Sequence, residues 1–467
     1  MRKKKPGEWI VTMPIGDYPH YFGTEDPRYL TEKRFPDRWD LDKVSPDNPV
    51  YIRGIWYYWR ESFPIVSIAN SYALKLAGVT KNTKPPYEGL EIVKDPKTGE
   101  PTGVFLEWDQ PGTVEFTLMN VVPRFTHEDR VTGLKKSMEK YNAVGTTSVY
   151  EGHGISSETF RAYKALWEKG EMTVRSYLVF SPAWDAVPGA DIGEVLRDWT
   201  TFASGVGFGD SMLKMGGMWT SVGNPPTNAL RRKSRPYTAW AGYGVDQILP
   251  PERGSLDDLV LAAVKAGIRT NAIVPAPAPL SRYLDILERI NGQIPINGKR
   301  FVLQHTNYVT ESQMESIKKL GVVPTMIPSS NLWKSGSEDV KGADMDKINT
   351  YFPFKSFREK EIPFVLCTDN NPIDPLHVFW TVVSRQDRVT GKVIVPEQKI
   401  SREDALMALT INGAYLTFEE DIKGSLEVNK FADLAVLSDD LLTCPEQNIM
   451  DIKVLLTMVG GKMVHRA

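Results

Sequence analysis

Four short stretches of this 467-residue chain carry side chains that could hold a metal ion or move a proton. VYEGHG places Glu151 and His153 at the end of a β-branched run, and MLKMGG carries Lys214. FVLQHT closes an apolar run on His305, and VLCTDNN closes another on Asp369. Imidazole, carboxylate and, once carboxylated, lysine are ligands that zinc or ferrous iron accepts. A divalent metal held by such a set acidifies water and polarises a carbonyl, which is hydrolytic chemistry. Any one of these groups alone is more often a hydrogen-bonded structural residue. Their recurrence at successive strand ends argues for a shared site, and two of the chain's six histidines fall there. His20, His127, His377 and His465 stand in loop or helix contexts and are not expected to be ligands. Other chemistries fit poorly. No G-x-S-x-G elbow occurs, and the glycines of GVGFGD lack the strand–turn–helix setting of a phosphate loop.

The elements that must position these residues alternate. Helical patterns over 127–143, 157–169, 256–266, 280–290 and 310–320 are interleaved with apolar strand patterns over 173–180, 268–274, 300–304, 322–327 and 363–367. Serial units of this kind predict an α/β fold with a parallel sheet, and over some 300 residues they favour a TIM-like (β/α)8 barrel. In such a barrel, functional side chains emerge where strands end. Residues 126–415 are expected to form it. Residues 1–125, rich in aromatic residues and proline, read as a loop-rich subdomain with a helix over 65–77 and a hairpin turn at 95–99. After a helix over 402–414, residues 416–467 read as a small β appendage.

The bulk composition restricts partners. A formal net charge of −2 argues against a nucleic-acid surface. No apolar run approaches the ~20 residues of a membrane helix. The basic start is interrupted at once by Pro6, Gly7 and Glu8, unlike a signal peptide. Two cysteines, Cys367 and Cys444, make no disulfide framework, so a cytoplasmic setting is expected.

Several longer stretches resemble the amidohydrolase superfamily, in its amidohydrolase-3, N-substituted formamide deformylase-like branch. They are LDKVSPDNPVYI (41–52), ANSYALKLAGVT (69–80), DPKTGEPTGVFLE (95–107), TDNNPIDPLHVFWTVVSRQD (368–387), ALTINGAYLTFEEDIKGSLEVNKFADLAVLSDD (408–440) and TMVGGKMV (457–464). The resemblance implies a barrel with a β-sandwich appendage and a divalent metal, zinc above all, with iron or manganese as variants. It implies Lys214, His305 and Asp369 as metal ligands, with Asp369 also the base. Two ligand positions depart from the family pattern: Ile273, with Asn271 nearby, stands where the fifth-strand histidine belongs, and no H-x-H pair occurs. Glu151 and His153 are candidate replacements. A second subunit supplying the H-x-H pair and N-terminal strands is the other expectation.

The activity so implied is hydrolysis of a non-peptide C–N bond in an amide, urea or lactam-like small molecule. Trp219, Trp333 and Asn370 are expected at the substrate, with Trp380 near. Two alternatives stand beside it: a degenerate subunit that stabilises an active paralogue, and altered chemistry such as hydration, decarboxylation or oxygenation on the same scaffold.

Overall fold

The computed structural model describes residues 4–12, 31–54, 64–108, 113–181, 191–222, 254–344, 348–369 and 372–467. They fall into two compact units that divide after Phe125.

The first unit is built on a five-stranded sheet. Its strands are β1 (Ile10–Thr12), β2 (Val50–Ile52), β3 (Ile65–Ala69), β4 (Leu90–Lys94) and β5 (Pro101–Glu107), in the order β1-β2-β3-β5-β4. The helix expected over 65–77 is thereby corrected. Residues Ile65–Ala69 form a fully buried strand, and only Ser71–Ala77 are helical. The IVSIA stretch is β-branched and pairs with β2 on one side and β5 on the other, so sheet packing overrides the helical reading. Asn70 marks the switch. Its side chain caps the helix through Ala73 N (3.0 Å) and also accepts from Val50 N (2.9 Å). The aromatic run Trp56, Tyr57, Tyr58 and Trp59 lies outside the described residues.

The second unit contains a curled parallel sheet of seven strands, an incomplete TIM barrel. They are β6 (Ser148–Ile155), β7 (Arg175–Phe180), β9 (Leu213–Ser221), β10 (Thr270–Ile273), β11 (Val302–Gln304), β12 (Val323–Met326) and β13 (Val365–Leu366), paired in chain order. The two-residue strand β8 (Phe208–Gly209) adds antiparallel to β9. Among the described residues β6 pairs with β7 alone and β13 with β12 alone, so the sheet has two edges.

Strands buried on both faces read as continuous apolar runs, and β7 (RSYLVF) is buried at all six positions. The intervening helices start where the sequence offers caps. Ser255 with Asp258 and Thr310 with Gln313 form capping boxes before the helices Leu256–Lys265 and Glu311–Leu320. Leu280, Leu284 and Leu287 of Pro277–Asn291 and Met314 and Ile317 of the next helix lie in one buried cluster with Phe301 and Leu303.

The tail docks beneath this sheet. The expected 402–414 helix breaks at Thr410 into Arg402–Leu409 and Ile411–Leu416. An antiparallel sheet follows: β14 (Leu434–Leu437), β15 (Val454–Val459) and β16 (Lys462–Arg466). Arg175, at the N-terminal end of β7, holds Asp433 through two bonds of 2.6 and 3.1 Å while Phe431 stacks 4.1 Å from its guanidinium. Both charged partners are buried, which suits a bidentate arginine.

Candidate metal centre

Three expected ligands converge at the C-terminal face of the sheet. His153 comes from β6, His305 follows β11 and Asp369 follows β13. One ligand atom from each lies within 4.8 Å of the other two. The imidazole rings meet edge to face, 5.1 Å between centroids.

The local backbone brings them there by unusual means. His305 and Asp369 both adopt left-handed φ values, 59° and 55°. Non-glycine residues rarely do so, and such strain gathers at functional sites. In the turn at His305, its carbonyl accepts from Asn307 N at 2.7 Å. His153 is delivered differently. The pairing of β6 with β7 shifts register between Glu151 and Ile155, a bulge that turns Gly152, His153 and Gly154 out of the regular ladder. Neither glycine has room for a side chain. A Cβ on Gly152 would stand 2.6 Å from Gln304 Nε2. One on Gly154, whose φ is +75°, would stand 2.6 Å from the Trp219 Cβ and collide with the Ser181 hydroxyl.

Electrostatics suit a cation. Desolvation lowers the pKa of His305 against the opposing pull of Asp369. Desolvation, and then the charge of His305, lower that of His153. Both rings are thus held as neutral imidazoles, the form that binds metal. Two neutral imidazoles and a carboxylate make a donor set that zinc, iron or manganese accepts.

The other expected residues are placed as follows. Glu151 is outside the three-residue cluster; its carboxylate accepts from His153 N at 3.2 Å, and burial raises its pKa. Trp219 is buried near the end of β9, beside Gly154. Trp333 is buried in the loop after β12, and Trp380 packs partly buried against the core. Ile273 ends β10, and Asn271 within that strand accepts from the Tyr150 hydroxyl. Asn370 lies outside the described residues.

Lys214 is found in an ion pair. It is the second residue of β9, at the strand's N-terminal end, and its Nζ sits 3.1 Å from Glu419 Oε1. Glu419 also binds Lys423 at 2.7 Å. This pairing ties β9 to the tail, and we propose that Lys214 serves that anchoring and not the metal cluster. The sequence reading placed Lys214 on or just after a strand, whereas the strand begins one residue before it. Accordingly, Lys214→Gln is expected to leave metal stoichiometry unchanged while lowering the unfolding free energy by about 1–2 kcal/mol. Metal titration and urea melts check the pair, and loss of metal in this variant would restore the carboxylated-lysine reading.

Sequence reasoning also set aside His377, which is buried in the helix Pro375–Ser384. Its Nδ1 pairs with Ser329 Oγ at 3.0 Å, and burial, helped by Lys334, pushes its pKa down to about 3. A histidine kept neutral in the fold but free to charge when unfolded withdraws stability as pH falls from ~6.5 toward the folded value, and is neutral to stability above that window. His377→Gln should therefore flatten the acid limb of a stability–pH curve by up to about 1.4 kcal/mol per pH unit. Parallel limbs for the two proteins would contradict this.

The family assignment rests on the full length of the chain. Residues 2–465 match the model of the amidohydrolase family. The chain belongs to the amidohydrolase family. The N-substituted formamide deformylase of Arthrobacter pascens is 23% identical over 477 residues, spanning 98% of this amidohydrolase chain and 79% of that protein. Protein LONG AFTER FAR-RED 3 of Arabidopsis thaliana is 25% identical over 444 residues, 91% of this chain and 70% of that one. Among solved structures, an uncharacterized metal-dependent hydrolase from Pyrococcus horikoshii superposes with a TM-score of 0.65 at 20% identity, covering 96% of this chain and 80% of that one. That likeness shows the amidohydrolase fold. No helix among the described residues is long and apolar enough to cross a membrane.

Proposed function

We propose that this chain is a metal-dependent hydrolase of non-peptide C–N bonds, with the metal held by His153, His305 and Asp369. The observation that carries the reading is the convergence of two imidazoles and a carboxylate within 4.8 Å at the C-terminal face of the sheet. The family match and the deformylase relative support the bond type.

When bound, the metal would supply an acidified water and a polarised carbonyl. The chain supplies the rest. Desolvation keeps His153 and His305 as unprotonated donors. The Asp369 carboxylate stands beside both, where it can accept the proton of the attacking water and return it to the leaving nitrogen. The Glu151 carboxylate steadies the bulge by accepting from the His153 amide. The buried indoles of Trp219 and Trp333 favour an apolar or aromatic substituent on an amide, urea or lactam.

A further part of the reading is that another segment, such as a strand from a second subunit, covers the seam between β6 and β13. Among the described residues both edges are unpaired, which supports it, since folds seldom leave such edges bare.

Elemental analysis of the purified protein, with identification of co-purifying chains, tests the proposal. About one equivalent of zinc, iron or manganese per chain is expected. Chelation should abolish turnover of an amide and lactam panel, and readdition should restore it. A protein that takes up no metal would refute the hydrolase and favour a degenerate subunit; a metal-replete monomer hydrolysing the panel unaided would remove the partner.

A further inference from the structure

His153 reaches the metal cluster from a stretch of β6 that the regular ladder does not hold. Glu151 pairs with Leu178 and Ile155 with Phe180, so Gly152, His153 and Gly154 stand against Val179 alone. Strand pairing therefore leaves open the direction in which the His153 side chain departs from the backbone. Metal ligands must nonetheless be held within ~0.5 Å of their productive positions.

The peptide group immediately before His153 is held at both ends by side chains. Its oxygen, Gly152 O, accepts from the side-chain amide of Gln304. Its nitrogen, His153 N, donates to Glu151 Oε1 at 3.2 Å. A carbonyl oxygen can only accept, so the Gln304 amide must present its NH2 group and its orientation is fixed. The bare Cα of Gly152 is what admits that amide, since a Cβ there would stand 2.6 Å from Nε2. Peptide groups are planar, so holding both oxygen and nitrogen fixes the plane and narrows the directions open to the His153 Cα–Cβ bond.

The backbone of Gln304 is itself firmly placed. Gln304 is the last residue of β11, pairs with Ile273 of β10 and accepts from Val274 N at 2.9 Å. It is buried. Strands β6 and β11 are not neighbours, because β7, β9 and β10 lie between them in the sheet. The Gln304 side chain thus crosses the inside of the curl and carries the rigidity of a laddered strand to an unladdered one. Tyr150, earlier on β6, makes a second cross-tie through its hydroxyl to Asn271 of β10. Gln304 also directly precedes His305, so a single residue links the segments that bear both histidine ligands.

Resting on the metal-centre reading above, we propose that Gln304 is a positioning residue of the metal site: its side-chain amide, with the Glu151 carboxylate, clamps the Gly152–His153 peptide and so aims His153 at the ion. The two imidazoles then form one pre-set pair, and their geometry is established on folding and not on metal binding.

The test uses the full chain with cobalt(II) as the probe. Affinity is read by competition with a chromophoric chelator, and coordination is read from the visible absorption band. Gln304→Met keeps the length of the side chain and removes its donor. It is expected to weaken cobalt binding about tenfold, the scale of loss when a partner that orients a ligand is removed, and to alter the band. Tyr150→Phe is the matched control, since it cuts the other cross-tie to β6 and leaves the Gly152–His153 peptide held. Its affinity is expected to stay within about twofold of the parent, with the band unchanged. Gln304→Leu repeats the measurement if the methionine variant folds poorly. Unchanged affinity or an unchanged band in the Gln304 variants would overturn the clamp. Equal loss in Tyr150→Phe, or unfolding of both Gln304 variants, would do the same by reducing Gln304 to general support of the barrel. A parent chain that binds no cobalt would instead strike the metal centre itself, and the clamp with it.

Discussion

Asp369→Asn is expected to lower turnover by about 10²–10⁴-fold while leaving the fold in place. The substitution is well matched to its site. Asp369 sits at φ 55°, a left-handed conformation that asparagine tolerates as readily as aspartate. Shape and backbone are therefore kept, and what is removed is the negative charge and the ability to take a proton. The same change strips the donor set of its anionic member, so weaker metal retention should accompany the loss of rate. Measuring turnover at saturating metal separates the two effects. Activity within tenfold of the parent under those conditions would remove Asp369 from the base role.

Gly154→Ala is expected to reduce metal affinity at least 100-fold in a protein that still folds. Two costs act together. The φ of +75° is unfavourable for any L residue, and the added methyl would collide with Ser181 and stand 2.6 Å from the Trp219 Cβ. Relief requires the bulge to shift, and the bulge is what aims His153. Gly170→Ala is the matched control, because its φ is +67° with open space around the added carbon. That variant carries about 1 kcal/mol of backbone strain and no displacement. Equal metal affinity in the two variants would show that His153 placement does not depend on the bulge.

How much of this was legible in the sequence depended on the kind of signal. The helix His127–Ala143 was read with the bounds it has, because a charged, amphipathic stretch runs up to the break at Gly145. Strands β10 to β13 were read as apolar runs, though longer than they are. His305 and Asp369 stood out as polar residues closing such runs. His153 was only a candidate, since a bulge is a pairing irregularity that no single strand announces. Lys214 stands at the start of its strand and not after it, which was not legible because a short apolar run does not say where the strand begins. Its partner Glu419, over two hundred residues away, could not be read from that stretch. The buried setting of His377 was invisible for a similar reason: apart from its fold, it is one polar position in an apolar helix.

The two edges of the curled sheet carry a further consequence. His153 comes from the first strand and Asp369 follows the last, so an ion bound between them would fasten the sheet end to end like a clasp. Occupancy would then be worth RT ln(1 + [M]/Kd) to the whole unit and not merely to the reaction. Starved of metal, the cell would hold a looser protein whose first and last strands exchange amide protons together, and supply of the ion would set the lifetime of the fold as well as its turnover.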